Sequence, residues 1–336
     1  MRLLEFANKR NTNPYKRIVM LVEVSDKVYR QQFPNSPHPY ISEQFIVQVK
    51  RKVDRVVRLM VKSEKVSMGL VAGIKNEVLL SPFSSPFGGF HFRHDNIFTR
   101  EIDQFIIQLI DYASSQNIQK ISLILPPDVY HHSFNTKMSN ALLRNGFLTD
   151  LPEITNWIDL SQFKGEFSCR NARQNYNKSL QYKLSFQIVH DINEKEIAYQ
   201  IVRENREKLG RPIYMTFNDL LNVNELWPVD FSLVKNIHGE AVAAAIFYRG
   251  HEKIVQGIFW GDNELGRYCR AMDFLCHKLW NHYKELDYSI IDLGTSSCGG
   301  LPNEGLIRFK EDHGCTSALR LGFKWNYSRD DTKQPK

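Results

Sequence analysis

The residue types with the most chemistry to offer lie in the second half of the chain. In 306–314 (LIRFKEDHG), Lys310 follows the apolar Phe309 and precedes a turn. A lysine held in a partly apolar site can stabilise a developing oxyanion; on a short surface helix it would be a solvated charge. His313 near the end of the segment reads either as an acid/base group or as a structural helix-end residue. In 290–300 (IIDLGTSSCGG), Asp292 stands near the end of an expected buried strand, before a loop of small residues. Polar residues at strand ends of an α/β sheet commonly face the ligand crevice. Asp292 can serve there as a base, a hydrogen-bond acceptor or a loop-fixing residue. Cys298, beside Gly299 and Gly300, has no histidine close in sequence to activate it, which favours a structural role.

Two further segments carry cations at places where an anion could sit. Segment 261–271 (GDNELGRYCRA) joins an expected strand to the start of a long helix. Backbone N–H groups and the helix dipole at such a junction favour phosphate. Gly266 permits close approach, Tyr268 follows, and Arg267 and Arg270 add charge; the plain alternative is an ordinary helix start. Segment 169–180 (CRNARQNYNKSL) has Ala172, Tyr176 and Leu180 at helical spacing, flanked by Arg170, Arg173 and Lys178. Forked guanidinium donors suit phosphate, but the same pattern describes a solvated helix face.

The elements that must position these residues follow from periodicity. In the first half, strand character at 17–24, 53–61, 68–74 and 77–80 precedes a loop at 81–89 (SPFSSPFGG). Ser42 is a candidate cap for a helix over 43–52. Ile102, Phe105, Ile106, Leu109, Ile110 and Ala113 recur at helical spacing over 100–115. A buried strand at 120–125, a helix at 139–145 stopped by Gly146, and a strand at 155–160 close this half. The second half repeats the order: a strand at 185–189, a helix at 195–209, and a meander at 231–237, 242–249 and 253–260. A helix at 267–286, a strand at 289–293, a short helix at 305–312 and a last strand at 318–325 complete it. Strands followed by a β-α-β-α-β run, twice, predict two α/β units in tandem, with each sheet mixed and flanked by helices. The expected division is 1–160 and 161–336, with the boundary near 161–168.

Composition agrees with two globular domains. The chain has 336 residues, 42% hydrophobic and 24% charged, with no run long enough for a membrane helix. MRLLEFANKRN lacks the apolar core of a signal peptide, so a cytoplasmic location is expected. Five cysteines without a CxxC pair argue against a disulfide framework and against a zinc site. No metal site is expected. A net charge of +7 favours polyanionic partners such as a cofactor's phosphates, a carrier protein or tRNA.

Phe309-Lys310 and Gly314, preceded by Gly305-Leu306 and by Asp292-Leu293-Gly294, resemble the Fem-type (FemAB-like) transferases and their GNAT-superfamily relatives. The basic 170–178 helix, the Ser85–Gly89 loop and Leu143-Arg144-Asn145-Gly146-Phe147 extend the resemblance from about 53 to 325. It implies an α/β (α+β) fold of two GNAT-like domains, each with a mainly antiparallel sheet, and an acyl or aminoacyl transfer in a cleft between them. The acceptor would be an amine or hydroxyl of a small molecule or cell-envelope precursor. The donor implied is acyl-CoA or an acyl-carrier thioester used as co-substrate, with no tightly bound cofactor. Aminoacyl-tRNA, the donor of the best-known members, is the alternative, although no long helical arm is present in the sequence. A non-catalytic GNAT-like binding module is a third reading. By the resemblance, Lys310 and Phe309 match the transfer site and Asp292 lies beside it. Gly266, Arg267, Tyr268 and Arg270 would hold the donor, with Asn263 and Tyr268 departing from the usual pyrophosphate loop. Gly88, Gly89, Arg170 and Arg173 would serve the acceptor.

Overall fold

In the computed structural model, which describes residues 20–62 and 66–327, the chain alternates strands and helices in two successive blocks. The first block runs β1 (Leu21–Glu23), α1 (Asp26–Gln32), α2 (Glu43–Val49), β2 (Arg55–Val61), β3 (Met68–Lys75), β4 (Val78–Ser81), β5 (Phe90–Phe92), α3 (Thr99–Ser115), β6 (Lys120–Ile124), α4 (Asp128–Arg144) and β7 (Leu148–Thr149). The second begins with β8 (Glu153–Asp159), α5 (Arg170–Leu180), β9 (Ser185–Val189), α6 (Ile192–Lys208), α7 (Phe217–Asn224), β10 (Val229–Lys235), β11 (Ala241–Tyr248) and β12 (Ile254–Asp262). It ends with α8 (Glu264–Tyr268), α9 (Ala271–Glu285), β13 (Ile290–Thr295), the hairpin β14 (Ser297–Cys298) and β15 (Leu301–Pro302), α10 (Glu304–Asp312), β16 (Thr316–Arg320) and β17 (Gly322–Asn326). The opening MRLLEFANKRN, the first residues of the strand expected at 17–24, and the tail after Tyr327 lie outside the described residues.

Two sheets result, ordered β1-β2-β3-β4-β6-β17-β7, with β5 also on β3, and β16-β8-β13-β12-β11-β10-β9. Each is mixed and mainly antiparallel: β4–β6 is the parallel pair of the first and β12–β13 that of the second. Helices flank both. The expected stripe of α3 is buried at Ile102, Phe105, Ile106, Leu109 and Ala113 and packs with Leu59, Leu70, Ile121 and Phe323 of the sheet. In β11 every residue from Val242 to Tyr248 is buried, because successive side chains point to opposite faces and both faces are covered. Val242, Ala243, Ala245 and Phe247 meet α9; Ala244, Ile246 and Tyr248 join the cluster that contains α6. That second cluster also takes Tyr40, Phe45, Phe87 and Tyr130 from the first block, so an apolar seam joins the two.

The structure differs from the sequence reading at four places. The strand expected to close the first half, β8, lies inside the second sheet between β16 and β13. The single strand expected at 318–325 is two: β16 stays in the second sheet, while β17 enters the first between β6 and β7. A division at 160/161 therefore does not coincide with the sheets, which exchange strands across it. Helix α4 begins well before the expected 139, directly after Pro127. It bends at His131 (φ −156°, ψ 72°) and buries Asn135 among Tyr130, Phe134 and Met138, so its amphipathic pattern is weak. The helix expected at 267–286 breaks at Arg270, which adopts the left-handed conformation (φ 59°, ψ 37°); Tyr268 and Leu286 consequently face solvent. Of the cysteines, Cys269, Cys276 and Cys315 are buried, Cys169 is half-buried and Cys298 is exposed, all as free thiols.

Candidate functional site

The site begins with a split between two parallel strands. β12 and β13 pair only at Ile254↔Ile290, Val255↔Ile291 and Gln256↔Asp292. Beyond Gln256 they part. The cause is visible on the other edge of β12. Its register with β11 passes from Phe247↔Gly257 to Ile246↔Phe259, leaving Ile258 as an extra residue. Such a bulge bends and twists its strand, here away from β13. The backbone groups of Leu293, Gly294 and Thr295 are thereby left without a strand partner on this side.

Lys310 fills that deficit. Asn303 caps α10 through a hydrogen bond from the Leu306 N–H, which sets the helix alongside the split and aims Lys310 inward. The side chain is buried, and Nζ donates to the carbonyls of Leu293 (2.8 Å), Gly294 (3.0 Å) and Thr295 (3.4 Å). All three ammonium donors are engaged, the last weakly. Burial pulls its pKa down to about 8, against the raising influence of Cys315 and Asp292. The Cys315 thiol is itself pushed up to about 12 by burial, so it stays neutral and Asp292 is the charged counterpart.

Asp292 is also buried. Its carboxylate accepts from the Gly294 N–H (2.9 Å), the Tyr130 hydroxyl (3.1 Å) and the Gln256 amide (3.1 Å). Burial raises its pKa, opposed by those bonds and by Lys310. Tyr130 comes from the first block, and so does Tyr40, whose hydroxyl bonds Gln256. The two halves therefore meet on this one carboxylate.

Around these groups lies a cavity of about 350 Å³. The first block contributes Tyr40, Phe45, the 84–87 stretch and Pro127; the second contributes the diverging parts of β12 and β13, with Leu306 and Lys310. Arg206 of α6 and Arg320 at the end of β16 complete the wall. Burial lowers the pKa of both guanidinium groups. Arg206 donates Nε to the Arg211 carbonyl (3.1 Å), and Arg320 Nε is buried without a partner among the described residues. The buried Tyr248 hydroxyl, also in the wall, has none either.

The residues expected from sequence divide accordingly. Lys310 and Asp292 come together in the cavity wall. Phe309 lies behind it, edge-on to Trp260 (5.8 Å between centroids) and packed against His313 (4.2 Å). His313 is buried on that far side, with Nδ1 at 2.6 Å from the Phe309 carbonyl and Nε2 at 3.2 Å from Asp273; its place is structural. Gly88 and Gly89 shape the cavity loop rather than line it. A Cβ on Gly88 would lie 2.6 Å from Ser81 Oγ, and the Gly89 N–H donates to that same oxygen (3.0 Å). Gly89 has φ +111°, a backbone region that favours glycine.

The expected donor and acceptor cations do not line the cavity. Gly266 is pressed against β11, where a Cβ would sit 2.2 Å from the Val242 carbonyl, and its N–H is taken by Asn263 Oδ1 (2.9 Å). Its glycine identity therefore serves packing. Arg267, Tyr268 and Arg270 are exposed at the α8–α9 break, with Arg267 3.9 Å from Asp262. Arg170 and Arg173 lie on the exposed face of α5, and Arg173 bonds the Phe167 carbonyl (3.3 Å). The cations that line the cavity are Lys310, Arg206 and Arg320. Sequence reading missed the two arginines. Arg206 sits in a run (RENREK) that reads as a solvated helix face, and Arg320 belongs to a strand whose end was not recognised.

No family model matches this sequence, and no curated protein sequence matches it. The fold is nevertheless that of known structures. FemX superposes with a TM-score of 0.64 at 11% identity, over 91% of this chain and 97% of FemX. The C-terminal domain of a putative lysylphosphatidylglycerol synthetase from Agrobacterium fabrum gives 0.56 at 12% identity, over 90% and 93%. L-PGS from Bacillus licheniformis gives 0.55 at 14%, over 91% and 93%. The expected fold, two mixed and mainly antiparallel sheets flanked by helices as in FemX, is therefore the observed one. Among the described residues no helix is long and apolar enough to cross a membrane.

Proposed function

We propose that this chain is an acyltransferase that moves an acyl or aminoacyl group onto an amine or hydroxyl acceptor in the cavity between its halves. The observation that carries this reading is the split of β12 from β13, opening on a chamber that holds a buried ammonium beside a buried carboxylate. The fold shared with FemX and with lysylphosphatidylglycerol synthetases supports it. Asp292, with its pKa raised by burial, is the base that takes the acceptor's proton. The acceptor attacks the donor carbonyl, and Lys310 stabilises the oxyanion that develops. Its longest bond, to the Thr295 carbonyl at 3.4 Å, is the one an oxyanion would replace. The proton then passes to the leaving group as the tetrahedral intermediate collapses.

The donor under this reading is an acyl thioester of coenzyme A or of a carrier protein, its thioester end in the split and its phosphates toward Arg267 and Arg270. Aminoacyl-tRNA is the second reading. What favours it is a basic hollow next to the cavity, lined by Arg51, Lys52 and the exposed Tyr214 and sharing Phe45, Ser84, Met215 and Val223 with it. The acceptor candidates are small amines and cell-envelope precursors. Incubation with acyl-CoA, acyl-carrier protein and aminoacyl-tRNA, followed by mass spectrometry of the products, separates the donors. A tRNA-dependent reaction would fall steeply with salt. Absence of acyl transfer from all three donors, or full turnover by Lys310→Ala, would overturn the proposal.

A further inference from the structure

Charge in the cavity wall does not balance. Three cations, Lys310, Arg206 and Arg320, face one carboxylate, Asp292. Lys310 is satisfied by carbonyls; Arg206 has one carbonyl bond, from Nε to Arg211, and Arg320 Nε has none among the described residues. Elsewhere in the chain, a partly buried arginine finds an acid: Arg58 bonds Glu43 (2.7 Å). Among the described residues neither Arg206 nor Arg320 forms a close ion pair, although Glu153, opposite Arg320 on β8, and Asp292 are near enough to raise the pKa of Arg320 against its burial. Arg320 Nε, wholly out of solvent, has no hydrogen-bond partner among the described residues. Buried polar groups are ordinarily paired, and a guanidinium pairs best with a planar two-oxygen anion. Two such groups opening on one cavity define a carboxylate subsite.

Asp292 supplies the complement. A carboxylate has about four acceptor positions, and three here are taken, one on Oδ1 and two on Oδ2. The position left on Oδ1 can accept from an ammonium. The wall also carries apolar side chains, Phe45, Phe87, Phe259 and Leu306, beside the polar Ser84 and Tyr248. A volume of about 350 Å³ lies at the small end of ligand pockets, roughly 300–1,000 Å³.

We infer that the acceptor is a free α-amino acid with an apolar side chain, its carboxylate held by Arg206 and Arg320 and its amino group by Asp292. This rests on the acyl-transfer reading and specifies its substrate. The reaction that follows is balanced. Asp292 takes a proton from the ammonium, the freed nitrogen forms a C–N bond to the carbonyl carbon of an acyl thioester, and the C–S bond breaks. The thiolate leaves with the proton returned by Asp292. The nitrogen of the tetrahedral intermediate gives up its second proton to solvent as the C–S bond breaks, so the products are an N-acyl amino acid, a thiol and one released proton.

The test is calorimetric titration of the full chain with L-leucine, L-leucinamide and 4-methylpentanoate, which keep the side chain and remove the carboxylate or the amine in turn. L-Leucine is expected to bind at least about tenfold more tightly than either analogue, the scale of one charge-assisted hydrogen bond. Arg206→Gln and Arg320→Gln should each abolish the preference for leucine over leucinamide. Arg320→Lys, which keeps the charge, should retain part of it and covers the case in which Arg320→Gln fails to fold by circular dichroism. Equal affinity for leucine and leucinamide, no binding of leucine, or a preference unchanged in folded Gln variants would overturn the inference. A parallel assay of an acyl thioester with L-leucine or butylamine keeps the two readings apart. Acylation of butylamine while leucine is ignored would sink the amino-acid subsite and leave the transferase. Arginine-dependent binding of leucine without acylation by any donor would sink the transferase and leave the subsite.

Discussion

At the scale of single residues, Lys310 does two things at once, and they are separable by experiment. Its ammonium satisfies carbonyls that the strand split leaves open, and it places positive charge in the cavity. Lys310→Ala is therefore expected to lower turnover by about 10²–10³-fold, the effect of losing an oxyanion donor. It should also lower stability by about 1–3 kcal/mol, because buried carbonyls lose their partner; urea denaturation measures that. Acidity gives a second check. Lys310 titrates near 8 in the folded chain, below the ordinary 10.5. Between those values the unfolded chain holds a proton that the folded chain has released, so stability contributed by this group rises with pH across that window. It is fully present above 10.5 and is lost as pH falls through 8. Denaturation at pH 7.5 and 9.5 should show the rise in wild type and a smaller one in Lys310→Met. Turnover runs the other way: if the ammonium is the working form, the rate falls as pH passes 8. A rate that climbs through 8 would make the neutral amine the active species. The acid limb belongs to Asp292 and should lie above the ordinary carboxylate range, since burial raises that group.

At the scale of elements, the site depends on one extra residue in β12 and one tight helix contact. The Ile258 bulge separates β12 from β13, and without that divergence the β13 carbonyls would pair with a neighbouring strand and exclude Lys310. Helix α8 then turns the chain from β12 into α9, lying so close to β11 that position 266 admits no side chain. Gly266→Ala should lower stability by about 1–3 kcal/mol through overpacking, read as a fall in Tm. The cavity is built by other residues, so its leucine affinity should change little in the fraction that stays folded. Helix α5 fits the solvated-face reading of its cations. It docks by its N-terminal end, where Cys169 and Asn171 both bond Asp312 of α10 (3.3 and 2.8 Å), while Arg170 and Arg173 face solvent. Arg170→Ala and Arg173→Ala are expected to leave turnover within about twofold of wild type, as surface substitutions away from a site do.

At the scale of the whole molecule, the two α/β blocks are not independent beads. β8 is an inner strand of the second sheet and β17 an inner strand of the first, so each sheet needs a strand from the far side of residue 160. Aromatic residues of both blocks share a cluster, and Tyr130 reaches across to Asp292 (3.1 Å). Fragments 1–160 and 161–336 should therefore each fail to fold alone, because an unpaired inner strand position leaves backbone groups exposed on both neighbours. Circular dichroism of the separate fragments checks this, and mixing them during refolding should restore the native signal. Two fragments that fold separately with cooperative melting would contradict the strand exchange.

What the sequence determined by itself was whatever depends on near neighbours in the chain. Helical spacing over 100–115 revealed α3 and its buried face, the apolar run at 289–293 revealed β13, and turn residues revealed the meander from β10 to β12. The Phe309-Lys310 pair and Asp292 were legible as chemistry because their types and local context are unusual. Only the tertiary structure decided which strand pairs with which, since β17 and β6 lie some two hundred residues apart and nothing in a strand's own pattern names its partner. The same holds for the cavity cations. Arg206 and Arg320 look like ordinary surface residues along the chain; they line one chamber because α6 and β16 converge on it. Short-range periodicity records how a segment folds, and convergence of distant segments records what the folded chain can bind.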